Sequence, residues 1–328
     1  MNFKALEYFV ATAREGSISH AAEAMYISQQ AMSNHIKKLE SEIGVELFER
    51  TTPLKLTYAG VEFLKNANHL LAMHKQMLRE MSDIRDESKG TLFIGINHSR
   101  GASLLPDILP IFHKKNPGID VRLVEGYSTS LEEAMFNNEV DFNIGFCPRF
   151  VEQVKTCVID VANDSIVMLV SKGLMRELFG KQEEEVCRRM QQKPDIMLFR
   201  DAPFVMLNHK MTIRKQVDEF MMRQGFVPHV IMETASLETQ LALGMKNFGI
   251  CFHSQTMIQG LNASYRCDVE RNMYAFNFKD PMMNSKLCVY FRRDRYLSYG
   301  ARAFIEELMR FYKNPQKINW SDLNVLQD

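Results

Sequence analysis

The sequence predicts a mixed α/β chain in two parts: an all-α winged helix-turn-helix continued by a long linker helix, then a two-lobed, parallel-type α/β domain. Three observations carry that expectation. Within Ser17–Gly44, two short runs repeat apolar residues at helical spacing and are separated by a tight turn. From residue 59 to about Ser88 no proline interrupts a steady amphipathic pattern. From residue 91 onward, short apolar runs alternate with helical segments, the pattern of parallel strands with crossover helices.

Residues 2–15 form a first helix with Phe3, Leu6, Phe9, Val10 and Ala13 as its buried stripe, ended by Gly16. Ile18, Ala21, Ala22 and Met25 give the second helix an apolar face. Met32, Ile36, Leu39 and Ile43 do the same for the third, which Ser28 is placed to cap and Gly44 to end. The other face of that third helix gathers Gln29, Gln30, Ser33, Asn34 and Lys37, with no acid among them. Amides pair with adenine edges in a major groove, while hydroxyls and cations reach phosphate. Taken alone, such a face serves DNA or water equally well. Beyond it, Leu47 and Phe48 anchor the chain and Pro53 turns it. Leu54, Leu56 and Tyr58 then alternate with Lys55 and Thr57 as a short hairpin. That wing carries Arg50 and Lys55 toward flanking phosphates.

In the linker helix, Phe63, Ala67, Leu70, His74, Met77, Met81 and Ile84 alternate by four and three, and Leu64, Leu71 and Leu78 add a second row. A 3.5-residue period favours a coiled coil with a second copy over packing on its own domain. A dimer would bring two recognition helices to two-fold related half-sites on double-stranded DNA. Ser88-Lys89-Gly90 reads as a hinge.

Composition bears on function mainly by exclusion. The 328 residues are 46% hydrophobic and carry no net charge, so nothing global marks a polyanion binder. Residues 1–58 hold six cations against seven acids, so recognition of DNA must rest on where a few charges point. Six cysteines show no CxxC and no metal-type clustering with histidine, which fits a reducing compartment; Cys147 and Cys157 leave a redox switch as a minor alternative. No signal peptide opens the chain and no apolar run reaches membrane-spanning length, so a cytoplasmic protein without a membrane partner is expected. No GxSxG, HExxH, Walker A motif or suitably placed GxGxxG is present. No catalytic residue, metal or cofactor is therefore expected.

In the second part, strands read at 91–97, 119–125 and 141–146, with helices at 103–115 and 129–138 between them. A second unit opens near Ser165, holds a charged helical segment at 174–193, and continues through strands at 204–208, 229–234 and 249–253 with helices at 212–224 and 236–246. MYAFNF, KLCVYF and a final helix at 298–313 return toward the first unit. The domains are then 1–58 (winged helix-turn-helix), 59–88 (linker helix), 89–313 (α/β domain) and a tail at 314–328 that holds Trp320. Lobe 1 covers about 91–162 and 269–313, lobe 2 about 163–268. Ligands of open α/β sheets sit beyond the carboxyl ends of strands, near helix N-termini that favour anions. Asn97, Ser99, Arg100, Ser103, Ser128, Thr129, Asn208, Lys210 and Thr212 occupy such places, although hydroxyls cap most helices in any case.

The run LEYFVATAREGSISHAAEAMYISQQAMSNHIKKLESEIGVELFER, followed by LKLTYAG, resembles the LysR-type transcriptional regulators. The resemblance lies in Ala21-Ala22, Ser28-Gln29, Ser33, Ile36, Leu39-Glu40, Gly44, Leu47-Phe48, Arg50, Leu56-Thr57 and Gly60, and more loosely in GFVPHVIMETASLE. It implies a DNA-binding regulator with a periplasmic-binding-protein-like domain that takes a small-molecule effector, a small carboxylate or other anion, between its lobes. It further implies a dimer through the linker helix, with a tetramer left open, and RNA polymerase as a further partner. Gln30 stands where the family usually has proline, Asn34 where arginine is common, Asn247 where glycine precedes FGI, and Ser254 where proline is common. The segment 173–200 is longer than the family norm. The rival class is an enzyme or scavenging binding protein that uses the N-terminal helices to dimerise.

Overall fold

The computed structural model describes residues 1–49, 51, 53–85, 89–146 and 155–313. Two compact units result, Met1–Arg85 in the first and nearly all the remaining chain in the second. Arg50, Ser88, Cys147, Trp320 and the tail at 314–328 lie outside the described residues, as does the side chain of Ile84.

In the first unit, α1 (Phe3–Glu15), α2 (Ile18–Ala24) and α3 (Gln29–Ile43) meet the wing strands β1 (Phe48–Glu49) and β2 (Lys55–Leu56) and the start of α4 (Tyr58–Arg85). Leu6, Phe9, Ile36, Leu39, Leu47 and Phe48 make the shared core, closed by Ala67 and Leu71 of α4. The side chains of Asn2, Ser17 and Ser28 cap the three helices, each accepting from an amide one turn on. Gly44 ends α3 at φ +83°, a left-handed turn that costs glycine little. The wing pairs antiparallel, Phe48 opposite Leu56 and Glu49 opposite Lys55. Its base hangs on Glu40, whose buried carboxylate accepts from the Leu47 and Phe48 amides at 2.9 and 3.2 Å. At Gly60 any Cβ would stand 2.0 Å from the Leu47 carbonyl oxygen, so the contact between linker and wing requires glycine.

The apolar rows of α4 divide between two environments. Phe63, Leu64, Ala67 and Leu71 face the core, whereas Leu70 points off the bundle and Met73, Met77, Leu78 and Met81, beyond Leu71, are exposed. His74 does not join that exposed seam. It stacks on Phe3 with centroids 4.0 Å apart, which also places Phe3 at the surface and not in the core stripe.

The second unit starts with β3 (Gly90–Ile96), α5 (His98–Lys115), β4 (Ile119–Glu125), α6 (Ser128–Phe136) and β5 (Phe142–Phe146). The three strands pair in parallel with β3 central. The chain continues through β6 (Thr156–Ser171), α7 (Lys172–Phe179), α8 (Glu183–Gln192), β7 (Pro203–Leu207), α9 (Thr212–Arg223), β8 (His229–Thr234), α10 (Leu237–Met245) and β9 (Cys251–Ser254). It closes with α11 (Gln255–Gln259), α12 (Ala263–Asn272), β10 (Met273–Phe276), β11 (Asn284–Arg292) and α13 (Tyr299–Phe311).

β6 serves both lobes. Its Thr156–Ser165 stretch pairs antiparallel with β11, and its Ile166–Ser171 stretch with β9 and β10. Leu92, Phe112, Phe142, Phe291 and Phe304 fill one core; Met168, Phe199, Phe204, Phe220 and Phe252 fill the other. The parallel pattern therefore holds inside the α/β units, while the crossover strands run antiparallel.

Several boundaries shift from the sequence reading. α5 starts at His98, five residues earlier than 103, because the Asn97 side chain accepts from the Ser99 amide and caps it. Pro106 and Pro110 lie on its exposed side, where water can reach the carbonyls that lose a donor. The strand read from Ser165 begins at Thr156. The charged segment at 174–193 is broken at Gly180, whose φ is +52°. Lobe 1 resumes later than residue 269, since Met273 and Phe276 pair with β6 beyond Met168, and Met282 and Met283 pack in the second core. Among the described residues no helix is long and apolar enough to cross a membrane.

Candidate functional site

Two polar surfaces stand out. On α3, Gln29, Gln30, Asn34 and Lys37 are exposed and Ser33 is half-buried. Among the described residues, no hydrogen bond or ion pair engages these five side chains, so their donors and acceptors remain available. Ser33 and Lys37 border a recess that Thr51 and Leu54 of the wing complete. Lys55 is exposed on β2. Glu40, on the same helix, is turned inward to hold the wing, which removes one acid from the reading face. Gln30 does not loosen the helix start: Ser28 Oγ accepts from the Ala31 amide at 3.2 Å, and α3 begins at Gln29.

The second surface is a narrow cleft with a cavity volume of about 50 Å³, partly open to solvent, between the lobes of the α/β domain. Five of the nine residues singled out in the sequence line it together: Asn97, Arg100, Ser128, Lys210 and Thr212. Four do not. Ser99 is buried, and its amide donates to Asn97 Oδ1 at 3.1 Å. Ser103 donates to the Arg100 carbonyl at 3.1 Å, Thr129 is exposed elsewhere on α6, and Asn208 Oδ1 accepts from the Lys210 amide at 3.2 Å. The remaining lining is mainly apolar and aromatic, with Tyr127, Phe146, Leu237, Met257 and Tyr290.

The polar groups of the cleft are largely bonded to one another. Ser128 Oγ and Thr212 Oγ1 lie 2.5 Å apart, joining the N-termini of α6 and α9 across the lobes. Arg100 is 4% exposed and pairs with Asp164 of β6 at 2.9 Å. It also donates to Thr256 Oγ1 at 3.1 Å, and its guanidinium carbon lies 4.9 Å from the centre of the Phe146 ring. Asp164, fully buried, accepts in addition from Ser254 Oγ at 2.5 Å and the Thr256 amide at 3.0 Å. Arg100 is thus an interior residue. Asp164 and Thr256 were missed altogether, because their stretches carried no helix-cap or strand-end signal. Ser254 gave a clue as a departure from the family's proline: it caps α11 and donates to Asp164, and proline can do neither.

Burial holds the His253 imidazole below its ordinary range, against the Leu237 carbonyl and the carboxylates of Glu238 and Asp164, which favour the charged form. Its Nδ1 has no hydrogen-bond partner. Burial pushes the Glu238 carboxyl up, but its own amide and the hydroxyls of Ser99 and Ser236 outweigh that and keep it below the usual carboxylate range. Burial also raises the Cys157 and Cys187 thiols and takes Cys251 to about 12, so none is primed as a thiolate. Asn247 takes φ +64°, the left-handed turn expected of it in place of glycine.

Residues 3–61 match the family described as bacterial regulatory helix-turn-helix protein, lysR family, and residues 85–312 match the LysR substrate binding domain. The HTH-type transcriptional regulator YcgK of Bacillus subtilis is 29% identical over 314 residues, 93% of each chain. A full-length OxyR variant from Pseudomonas aeruginosa shares the fold at TM-score 0.65 and 21% identity, over 95% of each chain. Full-length CbnR, solved with its target DNA, does so at TM-score 0.63 and 18% identity, over 94% of this chain and 99% of that one.

Proposed function

Because this chain belongs to the LysR family of transcriptional regulators, which are DNA-binding proteins and not enzymes, we propose that it reads a two-fold related operator with α3 and answers to a small anion held between its lobes. In this reading α3 enters the major groove. Gln29, Gln30, Ser33 and Asn34 meet base edges, while Lys37, Arg50 and Lys55 meet phosphate. Residues 1–58 form the reading domain, 59–88 the linker and 89–313 the effector domain. The exposed apolar half of α4 pairs with the same half of a second copy, since Leu70, Met77, Leu78 and Met81 would otherwise face water. Such a dimer works in the cytoplasm, where it meets DNA and RNA polymerase, and the effector biases how the paired heads are presented.

The observation that carries the reading is the set of unspent side chains on α3 beside a wing anchored by Glu40. The test is fluorescence anisotropy with the protein's own upstream DNA and a shuffled duplex of equal length. Wild type should prefer its own DNA. Gln29→Ala and Ser33→Ala should each cut that preference by about 1–3 kcal/mol for a lost base contact. Equal affinity of the wild type for both duplexes sinks the proposal.

A further inference from the structure

The charge of the ligand can be read from how Arg100 is held, an inference that rests on the effector reading of the cleft. A guanidinium carries five N–H donors. Here two are committed, one to Asp164 and one to Thr256, on a side chain that is 4% exposed and lines the cleft. Among the described residues no Arg100 nitrogen is buried without a partner, so its remaining donors reach the cleft and can take an acceptor there. Among the described residues, Arg100 and Lys210 are the charged groups of the lining and no acid accompanies them. Asp164, directly behind Arg100, cancels one of the two positive charges.

We infer that Arg100, oriented and half-neutralised by Asp164, selects a singly charged carboxylate with an apolar body. The site holds one net positive charge, which a monoanion balances. A dianion would leave a charge unmatched next to a buried carboxylate, and a neutral amide would leave the spare guanidinium donors without their strongest acceptor. Tyr127, Phe146, Leu237 and Tyr290 supply the surface for the apolar body. Because Asp164 stands on β6, just before its pairing passes from β11 to β9, and Thr256 stands on α11, the residue that receives the anion is also fastened to the strand both lobes share.

Calorimetric titration of the full-length protein at fixed ionic strength tests this with 3-phenylpropionate, its neutral amide and the dianion phenylsuccinate. Wild type should bind the monoanion about tenfold more tightly than either relative. Arg100→Gln should erase the preference for acid over amide, while Arg100→Lys, which keeps the charge and loses the fork, should retain part of it. Asp164→Asn raises the net charge of the site and should move the preference toward phenylsuccinate, an outcome that a purely structural Asp164 would not produce. If Arg100→Gln keeps the acid-to-amide ratio, or Asp164→Asn leaves the ratio of monoanion to dianion unchanged, the inference fails. A wild type that binds its upstream DNA yet distinguishes none of the three probes overturns this inference alone; failure to prefer that DNA overturns the reading beneath it.

Discussion

On α3, Gln29, Gln30, Asn34 and Lys37 stand in water with their donors and acceptors unspent. In the cleft, Ser128 holds Thr212, and Arg100 holds Asp164 and Thr256. The first surface has nothing to break before it binds. The second has interactions that an arriving ligand must match or rearrange. Under the proposed function, a face of the first kind is ready whenever DNA is present, whereas one of the second kind changes the protein as it fills, which is what a sensor needs.

Mutation should expose that contrast most strongly at Asp164. Asp164→Ala leaves the Arg100 cation buried without its partner, a change worth about 3–5 kcal/mol of stability, read from the urea unfolding of the effector domain in the full chain. A loss below about 1 kcal/mol would mean that Asp164 does not hold Arg100 in the folded cleft.

A graded effect should follow from pH. The His253 imidazole is held neutral below its ordinary value of 6.5. Above that value neither the folded nor the unfolded chain binds the proton, so His253 adds no pH dependence. Below it the unfolded chain takes up a proton that the folded chain resists, and stability falls as pH drops toward the folded value. The urea midpoint should be lower near pH 5.5 than near pH 7.5, and His253→Asn should shrink that difference. An unchanged pH profile in the variant would place the titration elsewhere.

Ser128→Ala removes one partner of a hydroxyl pair and should cost about 0.5–1.5 kcal/mol in the same unfolding measurement. Lys37→Ala should be smallest in stability, within about 0.5 kcal/mol, yet it should weaken binding to all DNA sequences and lower the slope of log affinity against log salt by about 1. If Lys37→Ala destabilises the fold while leaving the salt slope untouched, the reading face is structural and the comparison collapses.

The helix-turn-helix was readable residue by residue because its determinants are local. Caps, apolar spacing and Gly44 all act within a few positions of one another, and Ser28 caps α3 as its place before Gln29 implies. The cleft was readable only in outline. Asn97, Ser128, Lys210 and Thr212 announced themselves at strand ends and helix starts. The residue that decides what Arg100 can do lies 64 positions away on a strand whose polar-interrupted stretch, Thr156 to Asp164, did not read as a strand at all. Long-range pairing of that kind leaves no periodic trace. His74 shows the converse: a heptad position looked like a seam until Phe3, far off in sequence, covered it.

The return of β11 and α13 to the first lobe also sets when each part can fold during synthesis. The helix-turn-helix, wing and linker helix have all their residues once Arg85 has been made. The first lobe cannot close its core until β11 and α13 are made, through Phe311. At about 5–20 residues per second that gap lasts on the order of ten seconds to most of a minute. Throughout it, Leu92, Phe112 and Phe142 wait on the ribosome for Phe291 and Phe304, so a nascent chain of this protein carries a finished head well before it has a body able to sense anything.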